Sequence, residues 1–157
     1  MADLALAMSE VDEAVYLGHQ LVDSLRSKRA PATLCTAQLN LMHALLVHGS
    51  FDEASRLSRE AVPLASDCGL LWQAADTLAW LAAVQGDLQT AAQLAGWSDA
   101  ASRRRGEPEG IRRSPRRETV QSMIDSLPPA LRAESTSTGA APGEADVVAL
   151  WDRATAA

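Results

Sequence analysis

Three histidines have the widest chemical range in this chain of 157 residues, because imidazole binds metals and transfers protons near neutral pH. His43 and His48 are five residues apart, so on one helix their side chains point in different directions. His19 falls in a different predicted helix. Since no set of Asp, Glu or Cys residues completes a metal-site spacing around them, we expect no metal and no cofactor.

Nucleophilic catalysis is not indicated either. Cys35 and Cys68 are the only cysteines, and they lack the CxxC spacing of redox and zinc sites. We expect both to be small buried or half-buried thiols. The serine motif GxSxG is absent, and the many Ser and Asp residues stand where helices need caps. The sequence therefore predicts a protein that is not an enzyme.

An arginine-rich segment is the strongest charged feature. Residues 103–117 hold seven arginines against two glutamates, a local balance of +5 in a chain of net charge −6. These arginines could contact nucleic-acid phosphates, but no aromatic residues are interleaved and no recognition helix is visible. We expect a solvated linker that pairs with the acidic body, with nucleic-acid contact as the alternative. The arginines are Arg103, Arg104, Arg105, Arg112, Arg113, Arg116 and Arg117.

Two stretches of the sequence, residues 48–69 and 85–106, match at a constant offset of 37 residues. A period in this range is typical of stacked helical hairpins. Abundant Ala and Leu and few β-branched residues also favour helix, so the predicted fold is all-α. The matched pairs are Gly49 with Gly86, Phe51 with Leu88, Ala54 with Ala91, Leu57 with Leu94, and Gly69 with Gly106.

The apolar pattern predicts the first helix of each hairpin. One helix follows Pro31 and ends at His48, where Gly49 can take the left-handed conformation that closes a helix. It is apolar on two faces, which requires cover on two sides. Its counterpart in the next hairpin ends before Gly86.

The second helices follow short turns. One runs from about residue 51 to residue 66, with Ser50 and Glu53 as a capping box. Pro63 falls inside this helix, so we expect a kink or an early end there. The equivalent helix of the next hairpin ends near residue 104.

A weaker third copy lies upstream, where residues 11–14 match 51–54, and Leu17 and Leu21 continue the match as Leu57 and Ala61 do. Residues 9–26 thus resemble a second helix, and residues 1–8 the tail of its missing first helix. A repeat cannot bury its apolar face alone. We therefore expect that the chain is the last part of a longer repeat array, or that another domain covers the apolar face of its first helix. The alternative is that the chain is a short native protein.

Residues 48–65 resemble the turn and second helix of a tetratricopeptide repeat. The later copy lacks the acidic pair, and its spacing exceeds the family's usual period of about 34 residues. The resemblance implies a right-handed superhelix of antiparallel helical hairpins over residues 1–106, with the first unit incomplete. The matching residues are Gly49 at the turn, Phe51, the acidic pair Asp52 and Glu53, and the small residue Ala54.

Residues 91–127 resemble the terminal repeat, arginine-rich connector and closing helix of large bacterial ATPase-type transcriptional regulators. Such proteins couple a nucleotide-binding switch ATPase and a DNA-binding domain to a helical-repeat sensor. No Walker-type glycine loop occurs here, so any ATPase would lie outside this chain. The resemblance implies a protein-interaction or signal-relay module, and it leaves a small-molecule sensor as the alternative.

In the tetratricopeptide family, partners contact the inward face of each first helix. Carried over by position, this concave face implies a site for a protein or peptide, with Trp80 as its anchor because aromatic side chains dominate interface energetics. The alternative is that Trp80 and Leu39 pack against flanking helices. The implied set is Thr36, Leu39, His43, Val47, Gln73, Asp76, Trp80 and Val84.

The remainder of the chain is expected to cap the array. The predicted parts are a linker at 107–117, capping helices within 118–157, and a flexible loop at 133–143 without core-forming residues. No apolar run reaches the roughly 20 residues that span a bilayer, and the N-terminus is too acidic for a secretory signal. We expect a cytoplasmic protein without membrane contact; the partner and the oligomeric state stay open.

Overall fold

A computed structural model describes residues 2–108, 115–141 and 143–155, with the side chains of residues 2–9 and 115 left aside. Within these ranges the chain forms eight helices and no strand, which confirms the all-α prediction. None of these helices combines the length and apolar character that crossing a membrane requires. They are α1 (Ala2–Arg26), α2 (Pro31–His48), α3 (Phe51–Asp67), α4 (Leu71–Val84), α5 (Leu88–Arg104), α6 (Pro115–Ile124), α7 (Pro129–Ala140) and α8 (Glu144–Thr155).

The chain divides into two compact units, Met1–Leu70 and Leu71–Ala157. The first holds α1, α2 and α3, and the second holds α4 to α8. The boundary expected after residue 106 falls inside the second unit, because α6, α7 and α8 pack on α4 or α5. The capping helices therefore belong to the same unit as the second hairpin.

In the first unit α2 lies between α1 and α3 and packs on both. Its side chains Met42 and Leu45 are fully buried, and Leu39 is 5% exposed. The prediction that this helix needs cover on two sides is confirmed. In contrast, Val22 and Leu25 are the only buried side chains among those described in α1. α1 therefore packs on α2 through a narrow stripe, here called its inner stripe.

The first helix is longer than expected. α1 runs without a break from Ala2 to Arg26, so residues 2–8 extend this helix. The prediction that they end a separate helix is wrong. Ala, Leu and Met favour helix strongly, and the first Gly or Pro of the chain is Gly18, so no breaker separates these residues from the rest of α1.

The glycines that end the helices repeat their backbone geometry at the sequence offset. Gly49 and Gly86 have φ of 88° and 87°, and Gly69 and Gly106 have φ of 67° and 71°. The left-handed conformation predicted for Gly49 is confirmed. The 37-residue repeat of the sequence is therefore also a repeat of the backbone at these four positions.

In α3 the predicted capping box is wrong, and so is the early end that was one of the two outcomes expected at Pro63. Ser50 makes no capping bond; its hydroxyl lies 2.7 Å from His48 Nδ1, and Glu53 contacts His19 at 3.2 Å. The predicted capping box is wrong because both side chains have these other partners. The helix also continues past Pro63 to its end at Asp67, because buried residues on both sides of the proline hold its last turns in place.

The second unit is held by a close contact between α5 and α7. The Cβ of a side chain at Gly96 would overlap the backbone carbonyl of Thr136, and one at Gly139 would overlap the carbonyl of Gln93. The crossed order of these pairs makes the two helices antiparallel. Only glycine allows backbones to approach this closely.

This contact explains why the loop predicted for residues 133–143 is wrong over residues 133–140; residue 142 lies outside the described residues. α7 covers Pro129–Ala140, and Pro129 at the first helical position suits a helix start because its missing N–H would be unpaired there anyway. The segment lacks large apolar side chains, but Ser135 and Gly139 are buried. Its small residues bring backbone rather than side chains into the core.

The glycine contact predicts a reversal of the usual effect of Gly→Ala. In a helix interior this change normally stabilises by up to about 1 kcal/mol. Here Gly139→Ala should destabilise by about 1–3 kcal/mol, because the methyl group has no space beside Gln93. Urea unfolding measures the difference, with Thr138→Ala on the exposed face of α7 as the control. If Gly139→Ala unfolds at the same urea concentration as the control, the close contact does not exist.

Candidate functional site

A cluster of polar side chains joins α4, α5 and α6 in the second unit. Arg117 Nε donates to Asp76 Oδ2 at 2.7 Å, and Ser98 Oγ donates to Asp76 Oδ1 at 2.5 Å. Arg117 Nη2 donates to Ser98 Oγ at 2.8 Å and to Ser102 Oγ at 2.9 Å. The Asp76 carboxylate therefore binds one guanidinium and one hydroxyl group directly, and the guanidinium of Arg117 adds the second hydroxyl group, so the cluster links three helices.

This polar cluster is largely removed from water. The side chains of Arg117 and Asp76 are 18% and 20% exposed, and Ser98 and Ser102 are buried. A charge held in this environment needs its partner, because an unpaired charge there keeps its desolvation cost without compensation. The cluster therefore fixes the position of α6 on the α4–α5 hairpin.

The neighbouring arginine strengthens the same contact. Arg116 Nη1 donates to Thr77 Oγ1 at 3.0 Å, and Thr77 is buried in α4. Burial lowers the pKa of Arg116 below its ordinary value, although nearby Asp76 acts in the opposite direction. Two consecutive arginines of α6 thus bind two consecutive residues of α4.

A cavity of about 230 Å³ lies beside the polar cluster. Alanine and valine side chains form its apolar part, and three carboxylates and one guanidinium stand around it. The second unit contains no histidine and no cysteine, so the polar groups around the cavity are carboxylates, a guanidinium and an amide. The lining residues are Asp76, Ala79, Ala95, Asp99, Arg117, Glu118, Val120 and Gln121.

Arg103 and Arg105 of the basic segment also contact residues of the second unit. Arg103 binds Asp99 at 2.7 Å, and Arg105 lies 4.1 Å from the ring centre of Trp72 in a cation–π contact. These contacts and the Asp76 pair agree with the expected pairing to the acidic body. Arg104 is exposed at the end of α5.

The prediction of a solvated linker is wrong for residues 115–117. They belong to the first turn of α6, and Arg116 and Arg117 are half-buried. Side-chain acceptors on α4 and α5 hold them there. Arg112 and Arg113 lie outside the described residues.

The structure separates the predicted partner-binding residues by burial. On α2, Thr36 and Val47 are exposed and His43 is half-buried, but Leu39 belongs to the core of the first unit. The hydroxyl group of Thr36 donates to the carbonyl of Ala32 at 3.1 Å. Leu39 is thus not available to a partner, while the other three lie on a more accessible face.

The α4 part of the predicted set is half-buried throughout. This holds for Gln73, Asp76, Trp80 and Val84. Asp76 is bound by Arg117, and α6 and α8 pack on α4. At Asp76 this face of α4 is therefore covered by α6.

Two histidines connect α1 to the hairpin of the first unit. His19 lies 3.2 Å from Glu53 of α3, and His48 of α2 lies 3.1 Å from Asp12 of α1. No group of three or more metal-ligating side chains occurs in the described part of the chain. These histidines act here as links between helices.

Sequence reasoning missed the exposure of two leucines of α1. Leu17 and Leu21 of α1 are 51% and 49% exposed, whereas their repeat equivalents Leu57 and Ala61 in α3 are buried. The signal was present, since the repeat match marks these positions as ones that normally pack against another helix. In this unit α1 packs on α2 through a different stripe, which contains Val22.

Comparison with protein-family models, with curated proteins and with solved structures finds no match for this chain.

Removing Arg117 tests the polar cluster. Arg117→Met should destabilise the protein by about 3 kcal/mol, because it leaves the half-buried Asp76 carboxylate without its cation. Arg103→Met, at the exposed pair with Asp99, should cost at most about 1 kcal/mol. Urea unfolding measures both. Adding Asp76→Asn to Arg117→Met should recover part of the loss, and equal effects of the two single changes would contradict the assignment.

The two thiols should differ in reactivity. Cys35 is fully buried, and burial, with a smaller effect of Cys68, raises its pKa to about 11. Since the thiolate is the reactive form, iodoacetamide at pH 8 should modify the half-buried Cys68 and spare Cys35. Mass spectrometry of tryptic peptides reads both sites, and urea-unfolded protein provides full labelling as the control. Equal rates in the folded protein would contradict the burial of Cys35.

Proposed function

We propose that this chain is a non-enzymatic helical interaction module that binds a protein or peptide partner through its first unit. The observation that carries the proposal is the distribution of exposed large apolar side chains. Within the described residues all of them lie in the first unit. Contiguous exposed apolar surface on a folded domain marks interaction sites. They are Tyr16, Leu17, Leu21, Val47 and Phe51.

The partner surface in this proposal lies along the open face of α2 and the turn into α3. Val47 and Phe51 are exposed apolar side chains four residues apart, with the Gly49–Ser50 turn between them. Asp52 beside them is exposed. A partner segment with an apolar side chain next to a lysine or arginine would match this surface in both polarity and charge.

We also propose a tetratricopeptide-like superhelix for the two hairpins. The repeated φ values of the turn glycines support it, as do the fully buried small residues Ala54 and Ala91 at equivalent positions. The arginine-rich segment and closing helix further favour a place at the end of a bacterial transcriptional regulator. Sequencing the reading frame upstream of Met1 tests this last point, and an in-frame ATPase segment would support it.

Site-specific photocrosslinking tests the partner surface. A benzophenone amino acid at position 47, expressed in the native host, should give discrete higher-mass products that mass spectrometry identifies. The same probe at Arg59, an exposed residue of α3, should give none of them. Phe51→Ser should weaken the products from position 47, because it removes the neighbouring apolar contact. Identical products from both positions, or none from position 47, would overturn the proposal.

Small-molecule sensing is the second candidate, and the cavity beside Asp76 favours it. A ligand of this cavity should raise the melting temperature of the chain, because binding to the folded state alone stabilises it. Ala95→Leu should fill the cavity and remove the shift. Screening of metabolites by thermal shift checks this, and a shift that survives Ala95→Leu would place the ligand elsewhere.

A further inference from the structure

We propose that the outer face of α1 pairs with the α1 of a second copy of this chain, in an antiparallel two-fold arrangement. This goes beyond the proposed partner binding, which uses α2 and the turn into α3. The inference rests on the spacing, exposure and charge of one row of residues, here called the outer row. It consists of Glu10, Ala14, Leu17, Leu21, Ser24 and Lys28.

The outer row has the geometry of a helix-pairing seam. Its members follow one another at intervals of four, three, four, three and four residues, which is the spacing of positions a and d in a coiled coil. All six are exposed. Lys28 lies beyond the end of α1, but its N–H donates to the carbonyl of Leu25 at 2.9 Å, so the chain follows the last helical turn up to it.

The outer row is complementary to itself when reversed. Two copies aligned antiparallel about position 19 place Leu17 of each against Leu21 of the other, and Ala14 against Ser24. The same alignment places Glu10 of each copy against Lys28 of the other. A two-fold interface requires this self-complementarity. A parallel arrangement would instead bring Glu10 against Glu10 and Lys28 against Lys28.

In the sequence repeat, Leu17 and Leu21 occupy positions whose equivalents in α3 are packed against other helices. Leu57 and Ala61, their equivalents in α3, are buried. The opposite side of α1 already faces the hairpin, to which Arg26 binds through Glu60 at 3.0 Å and His19 through Glu53. With α1 packed on that side, its outer row stays exposed, and Ala14, Leu17 and Leu21 form the apolar middle of the row.

Sedimentation of the full chain tests the pairing. Between about 1 and 300 µM the wild type should convert from monomer to dimer. Leu17→Ala and Leu21→Ala should each raise the dissociation constant at least about tenfold, because every dimer loses two buried leucine side chains. Arg59→Ala should leave it unchanged, and circular dichroism should show all variants folded. A wild type that stays monomeric over the whole range would overturn the proposal, whatever the photocrosslinking at position 47 shows.

Charge exchange tests the antiparallel alignment. Lys28→Glu alone should weaken the dimer roughly threefold to tenfold, because it places two carboxylates together at both ends of the seam. Glu10→Lys alone should do the same with two cations. The double exchange Glu10→Lys/Lys28→Glu should restore wild-type affinity. Single variants that dimerise as tightly as the wild type would rule out this alignment. A double variant that dimerises as weakly as the single variants would also rule it out.

The proposed contact between Lys28 and Glu10 can be tested by chemical crosslinking, since Lys28 is the only lysine of the chain. A carbodiimide joins an amine to a carboxylate in contact with it. In the dimer it should link the Lys28 peptide to the Glu10 peptide between copies, and mixing isotope-labelled with unlabelled protein shows that the link is intermolecular. Crosslinks from Lys28 to other carboxylates only would contradict the pairing.

Discussion

The need to cover two faces of one helix is the constraint on which both units depend. α2 and α4 are apolar on two sides, and eight of the 18 residues of α2 and nine of the 14 residues of α4 are buried. Leaving either side of such a helix in water would forfeit a large part of the hydrophobic free energy that stabilises its unit. Different helices cover α2 in the first unit and α4 in the second. This difference determines which apolar side chains remain exposed to solvent.

The first unit covers α2 with α3 on one side and α1 on the other. Because α1 packs on α2 through the stripe that contains Val22 and Leu25, its outer row stays at the surface. The second unit covers α4 with α5 and adds α6 and α8. Its described residues include no exposed large apolar side chain. Among the described residues, the exposed large apolar side chains are thus confined to the first unit.

An ion pair positions α6 on α4 in the second unit. Asp76 occupies a position that the repeat resemblance assigned to partner binding, yet its carboxylate binds Arg117 of the same unit. A half-buried carboxylate beside two buried hydroxyl groups is stable only with a cation, and α6 supplies that cation. Four of the five described arginines of the basic segment therefore bind residues of α4 or α5, and Arg104 is exposed.

The sequence by itself determined the helical class, most helix ends and the positions of the turn glycines, because apolar period and left-handed glycines are local properties. It failed at Ser50, where the neighbouring His48 side chain binds the hydroxyl. It also failed at residues 133–140, where packing against α5, far away in the sequence, holds a glycine-containing helix. Only the tertiary structure decided that Leu39 is core, that Asp76 is bound and that Leu17 is exposed. Periodicity shows that a residue lies on an apolar face, but which helix covers that face depends on contacts between segments far apart in the chain.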